Sequence, residues 1–98
     1  MIKENKMIMI VNKKNFIGRY IIYEDNRYGK EYNGWNDRLI FEGEYLNGER
    51  HGKGNEFFDN KLIFEGEYKN GERNGKGKEY RSNELIFEGE YLNGKRIE

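Results

Sequence analysis

Leu39-Ile40-Phe41-Glu42-Gly43-Glu44-Tyr45 is a heptad of residues that returns unchanged at 62–68 and at 85–91. The three copies start at residues 39, 62 and 85, a spacing of 23. Within each copy Phe, Gly and Tyr alternate with two Glu, the two-residue period of a β-strand with unlike faces. Asn47-Gly48, Asn70-Gly71 and Asn93-Gly94 follow the copies. Asn-Gly is a strong hairpin signal, because both central residues of the mirror-image turn need positive φ. A two-residue loop at Asn47-Gly48 sets Tyr45 against Arg50, Gly43 against Gly52, Glu42 against Lys53 and Phe41 against Gly54. A longer loop through His51 shifts that register. Asp59-Asn60 and Ser82-Asn83 supply the turns between hairpins. The expected fold is all-β: a single-layer, elongated antiparallel meander of hairpins.

Outward from the copies, Phe16-Ile17-Gly18-Arg19-Tyr20 reads as a worn one, followed by two inserted residues, Ile21 and Ile22. The 23-residue register then returns at Tyr28-Gly29-Lys30, with Glu31 in place of a repeat glycine and Trp35 aligned with Phe58. The expected layout is an N-terminal strand or cap over 1–15 and a repeat sheet over 16–98. That sheet divides into a degenerate repeat (16–40), two full repeats (41–63 and 64–86) and a half repeat (87–98). Alternation puts Leu39, Leu62 and Leu85 on one face with rows of Phe16, Phe41, Phe64 and Phe87 and of Tyr20, Tyr45, Tyr68 and Tyr91. Glycines between the rings open a shallow trough. Ile40, Ile63 and Ile86, near Phe57 and Tyr80, fall on the other face with the glutamates.

The residues resemble the MORN repeat, whose pattern is Tyr/Phe-x-Gly-x-Trp/Tyr, a turn, then His-Gly-x-Gly. Phe41, Gly43, Tyr45, His51, Gly52 and Gly54 fit it in one repeat; Phe64, Gly66, Tyr68, Gly75 and Gly77 fit it in the next. The chain departs from the pattern in lacking Trp at its fifth position. It also carries Glu56 or Glu79 where the family has an aromatic, with Phe57 or Tyr80 one place later. The resemblance implies an extended antiparallel sheet. Its implied roles are protein–protein scaffolding, membrane or phosphoinositide association, or service beside an enzyme.

Composition narrows the function classes. The 98 residues carry 18 basic and 18 acidic side chains, so the electrostatic footprint of a nucleic-acid binder is missing. Eight Tyr, six Phe and one Trp argue for order despite the high charge. There is no Cys, hence no disulfide framework or thiolate chemistry. Met7-Ile8-Met9-Ile10-Val11 is too short for a signal peptide core, and no run reaches transmembrane length. The expected compartment is the cytoplasm, with membrane or cytoskeletal association open.

No catalytic residue, cofactor or metal ligand is expected. The sole Ser, Ser82, sits in a turn. The sole His, His51, occupies a repeat position that also takes Asn74 and Tyr28, which is unlike a general base. The carboxylate pairs Glu42/Glu44, Glu65/Glu67 and Glu88/Glu90 read as exposed ion-pair partners of lysines such as Lys53 and Lys76, each worth about 0–1 kcal/mol. The favoured function is a non-enzymatic scaffold that grips a protein or peptide through a trough of Phe41, Tyr45, Phe64, Tyr68, Phe87 and Tyr91, Tyr being common at binding hot spots. Two helical turns rise about 10.8 Å and two strands span about 9.6 Å, so a helical or extended partner segment tracks along the sheet. The alternative is a peripheral membrane or phosphoinositide tether using the basic turns at Arg50, Lys53, Arg73, Lys76, Lys95 and Arg96, aided by Lys3, Lys6, Lys13 and Lys14. A remoter alternative is an accessory module of an enzyme complex. The C-terminal strand, 87–91, is expected to leave an open edge through which two copies pair as a homodimer.

Overall fold

The structure, a computed structural model, describes residues 6–11, 18–23 and 27–97, with side chains from residue 27 onward. Among them are nine strands: β1 (Lys6–Val11), β2 (Gly18–Tyr23), β3 (Tyr28–Asn33), β4 (Leu39–Leu46), β5 (Glu49–Phe58), β6 (Lys61–Lys69), β7 (Glu72–Arg81), β8 (Glu84–Leu92) and β9 (Lys95–Ile97). They form one sheet in chain order, each strand antiparallel to the next. The all-β meander is thus present. Phe16, Lys3, Lys13, Lys14 and Glu98 lie outside the described residues.

Turn chemistry fixes the connections. Asn47 and Gly48 have φ of 53° and 82°, and Asp59 and Asn60 have 53° and 66°. Asn70-Gly71, Ser82-Asn83 and Asn93-Gly94 repeat the pattern. Left-handed φ at both central residues gives the turn whose twist matches that of the flanking strands. Asn, Asp and Gly tolerate it best.

The register departs from the simple two-residue reading. Next to the turn Tyr45 does face Arg50, but the pairing then slips, so that Gly43 faces Gly54, Glu42 faces Asn55 and Phe41 faces Glu56. The pairs Gly43–Gly52, Glu42–Lys53 and Phe41–Gly54 are therefore corrected. The same slip places Gly66 opposite Gly77 and Phe64 opposite Glu79. The cause is a bulge at Gly52 and at Gly75, whose φ of 84° and 107° push their strands outward. The second glutamate of each heptad folds into the gap. Glu44 Oε1 accepts the amide of Lys53 at 3.0 Å, and Glu67 Oε1 that of Lys76 at 2.7 Å. A side chain at Gly52 or Gly75 would collide with that carboxylate.

A second irregularity moves the leucines. Glu56 pairs with Phe64 while the adjacent Phe57 pairs with Leu62, leaving Ile63 as the extra residue. Tyr80 likewise pairs with Leu85, and Tyr32 with Leu39. Adjacent residues on a strand face opposite ways. Leu39, Leu62 and Leu85 therefore share a face with Tyr32, Phe57 and Tyr80, not with the phenylalanine row.

The upstream register is also revised. Gly29 pairs with Gly43 as Gly54 pairs with Gly66, and Glu31 pairs with Phe41 as Glu56 pairs with Phe64. Glu31 is thus the counterpart of Glu56, not a replaced glycine. The additional length lies in the β3–β4 loop, where Asn33 and Arg38 are bonded across the turn and Trp35 is 76 % exposed. It does not lie at Ile21 and Ile22, which pair with Glu31 and Lys30. At the C-terminal side, the edge expected to be open carries β9, which pairs with Glu90, Tyr91 and Leu92.

Candidate functional site

The two faces of the sheet have different occupants. On the first, Phe41 and Phe64 are fully buried and Tyr45, Tyr68 and Tyr91 nearly so. Gly54 and Gly77 make the space, since a Cβ at either would enter the ring of Phe41 or Phe64. The rings form a continuous edge-to-face zigzag. Phe41 meets Tyr45 at 5.7 Å and Tyr68 at 5.1 Å; Phe64 meets Tyr68 at 5.6 Å and Tyr91 at 5.2 Å. Such contacts add about 0.5–1.5 kcal/mol each beyond area burial.

A lid of charge completes this face. Arg50, Arg73 and Arg96 lie 4.3, 4.1 and 4.3 Å over the rings of Phe41, Phe64 and Phe87. Each guanidinium is held by a glutamate two strands back. Arg73 donates to Glu56 through Nε at 2.9 Å and Nη2 at 3.1 Å, and Arg50 grips Glu31 at 2.8 and 3.0 Å. Arg96 does the same with Glu79. A tyrosine hydroxyl donates to each carboxylate as well: Tyr45 to Glu31 at 2.6 Å, Tyr68 to Glu56 at 2.5 Å, and Tyr91 to Glu79. The result is a ladder of Glu31, Arg50, Glu56, Arg73, Glu79 and Arg96 in which anion and cation alternate.

The ladder shifts its own protonation. Burial pushes the Glu56 carboxyl up, but the hydrogen bonds from Arg73 and Tyr68 outweigh it and hold the group below the usual carboxylate range. The bond from Arg96 holds Glu79 down at about 2. Burial and the neighbouring Glu79 push Tyr91 up to about 12, and burial with Glu56 raises Tyr68 likewise. These three glutamates escaped the sequence reading, which noted Glu56 and Glu79 only as departures from a motif. Their signal was the spacing of 23 between Glu56 and Glu79, matched by Arg50, Arg73 and Arg96.

The other face is open. A lane of glycines crosses six strands, Gly29, Gly43, Gly54, Gly66, Gly77 and Gly89 being successive partners. Their flanking residues stand as walls: Glu42 and Glu44 on β4, Lys53 and Asn55 on β5, Glu65 and Glu67 on β6, Lys76 and Lys78 on β7, Glu88 and Glu90 on β8. Together they bound a groove of about 890 Å³ lined by six glutamates and three lysines. No ion pair within 4.0 Å joins those lysines and glutamates among the described residues. Apolar side chains stand beside the groove rather than in its lining. Tyr80 donates its hydroxyl to Glu65 at 2.5 Å, and its strand partner Leu85 is half exposed beside Ile86.

The residues singled out from sequence therefore divide. The six trough rings come together, but as a core under the arginine lid, with only Phe87 left partly open. Of the basic turn residues, Arg50, Arg73 and Arg96 belong to the lid, while Lys53 and Lys76 stand among the lane glutamates. Lys95 is exposed on β9. His51 precedes the bulge glycine and Ser82 occupies a tight turn. No cluster of three or more metal-type ligands occurs among the described residues.

Comparison with known proteins agrees with the repeat geometry. The family model for the MORN repeat matches residues 41–62, 64–85 and 87–96, each hit opening on a phenylalanine of the buried row. Neither the search of curated proteins nor that of solved structures finds a match. MORN repeats are in general non-enzymatic modules for protein or membrane interaction. With more than half of its residues inside those matches and the hairpin register in phase with them, the chain belongs to the MORN-repeat family.

Proposed function

We propose that this protein is a non-enzymatic scaffold that holds a protein partner on the glycine-lane face of its sheet. One observation carries the proposal: the aromatic face is closed by the chain's own side chains, whereas the lane is a groove whose charges are not spent on one another. A trough of buried rings offers a partner little area, so the contact surface moves from the tyrosines to the lane. Lane charges at a solvated rim steer and select a partner more than they add raw affinity. The acidic excess of the groove disfavours anionic lipid, and the arginines that would have met lipid are committed to Glu31, Glu56 and Glu79.

Two measurements test this together. The immobilised chain is cross-linked in a cell extract, beside a variant carrying Glu42→Lys and Glu65→Lys, and the same proteins are sedimented with neutral and with anionic phosphoinositide-containing vesicles. The expected result is a protein captured by the wild type and lost by the variant, with no pelleting. Pelleting with anionic vesicles alone, and no protein captured, replaces the scaffold by a membrane tether.

A further inference from the structure

We infer that the lane takes a lysine- or arginine-bearing segment of its partner in the extended left-handed polyproline II conformation, with a cation at every third residue. The inference rests on the lane-face function proposed above and adds the chemistry of the occupant.

Charge gives the sign. Glutamates stand on both walls of every second strand, and they outnumber the lysines six to three. The imbalance has a location. Lys78 stands between Glu65 and Glu88 in the cross-strand row, but its counterpart one repeat earlier is Asn55, between Glu42 and Glu65. Glu42 meets Lys30 on its other side, but the position between these two carboxylates lacks the cation that Lys78 places between the following pair. A basic side chain from outside fits the gap that Asn55 leaves.

Spacing gives the conformation. Glu42 and Glu65 are two strands apart, about 9.6 Å, and the row continues at that interval to Glu88. A polyproline II helix rises about 3.1 Å per residue with three residues per turn. Side chains three apart thus point the same way at about 9.3 Å, a mismatch of about 0.3 Å per step. An α-helix returns to the same side after two turns, about 10.8 Å, and drifts about 1.2 Å per step. A β-conformation chain puts residues three apart on opposite sides. The polyproline form also brings little ordering cost, because proline-rich segments hold it before they bind. Tyr80, bonded to Glu65, and its half-exposed strand partner Leu85 offer apolar contact to the segment's intervening residues.

The test uses the full chain and a labelled peptide of repeated Lys-Pro-Pro units, followed by fluorescence anisotropy at physiological salt. The controls are a peptide of the same composition with its lysines in one block, and one with Glu in place of Lys. Saturable binding of the spaced lysine peptide alone is expected. Asn55→Lys should weaken it about threefold, and Glu42→Gln with Glu65→Gln about tenfold, from rim ion pairs of about 0.2–1 kcal/mol each. The fold should accept Asn55→Lys, since Lys78 already occupies the equivalent place. Equal binding of the block peptide overturns the inference, as does no binding of either lysine peptide. In both cases the scaffold function is judged separately, by whether the charge-reversed variant still loses its cross-linked protein.

Discussion

Glu56 and Glu65 lie on adjacent strands of the same sheet, and chemistry alone does not tell them apart. Glu56 faces the rings, takes two bonds from Arg73 and one from Tyr68, and is drawn below the usual carboxylate range. Glu65 faces the lane, takes one bond from Tyr80, and has no cation within ion-pair distance among the described residues. The first face uses charge to close a core that a single layer cannot otherwise cover. The second leaves charge facing solvent. A one-layer sheet thereby divides its labour: one face provides stability, and the other is the one we propose for recognition.

The largest test of that division is Phe64→Ala. It removes a fully buried ring between Tyr68 and Tyr91 and should cost about 3–5 kcal/mol in denaturant unfolding, enough to unfold so small a domain. A cost no larger than that of a lane substitution would mean that the rings are not the core.

Protonation should strike the ladder next. Glu79 has a folded pKa of about 2 against an ordinary value of 4.5, so its stabilisation is complete above about 4.5 and lost as pH falls toward 2. Tyr91 titrates at about 12 against 10.0, so its contribution holds below about 10 and disappears as pH rises through 12. Circular dichroism and melting temperature across pH should show a plateau between those limits. A decline beginning near neutrality would place the stabilising charges elsewhere.

Glu56→Gln should cost about 2 kcal/mol, because it weakens the charge-assisted bonds to Arg73 and leaves that guanidinium only the longer contact to Glu79 at 3.8 Å. A double-mutant cycle with Arg73→Lys measures the coupling. Gly75→Ala should cost about 1–2 kcal/mol, since φ of 107° and the Glu67 carboxylate both oppose a side chain. In a Glu67→Ala background, which itself loses the bond from the Lys76 amide, the cost of Gly75→Ala should shrink by the part owed to collision and keep the part owed to φ. At the lower end, exposed Glu88→Gln should change stability by less than about 0.5 kcal/mol. A larger loss there would blur the distinction between the faces.

Much of the fold was legible in the heptads. Period-2 alternation gave the strands, and Asn47-Gly48, Asp59-Asn60 and Ser82-Asn83 gave the turns, because those signals are local. The register was not, since Gly52 can sit in a flat pair or in a bulge, and only the carboxylate of Glu44 decides between them. The site was legible as a list of residues more than as a surface. Phe41, Tyr45, Phe64 and Tyr68 were marked as a group, yet their burial depends on Arg50 and Arg73 folding back over them from the following strands.

By itself the sequence determined a hairpin meander with a 23-residue period, a balanced charge and a family. Local backbone preference and side-chain alternation suffice for that. Only the tertiary structure decided which glutamates are spent and which are free, because the bulges at Gly52, Ile63 and Gly75 reset which residues meet across strands. The one-residue slip at Ile63 turns Leu62 to the face opposite Phe64, while the slips at Gly52 and Gly75 keep the face and change the partner. The working face therefore depends on pairing between strands, which no single strand encodes.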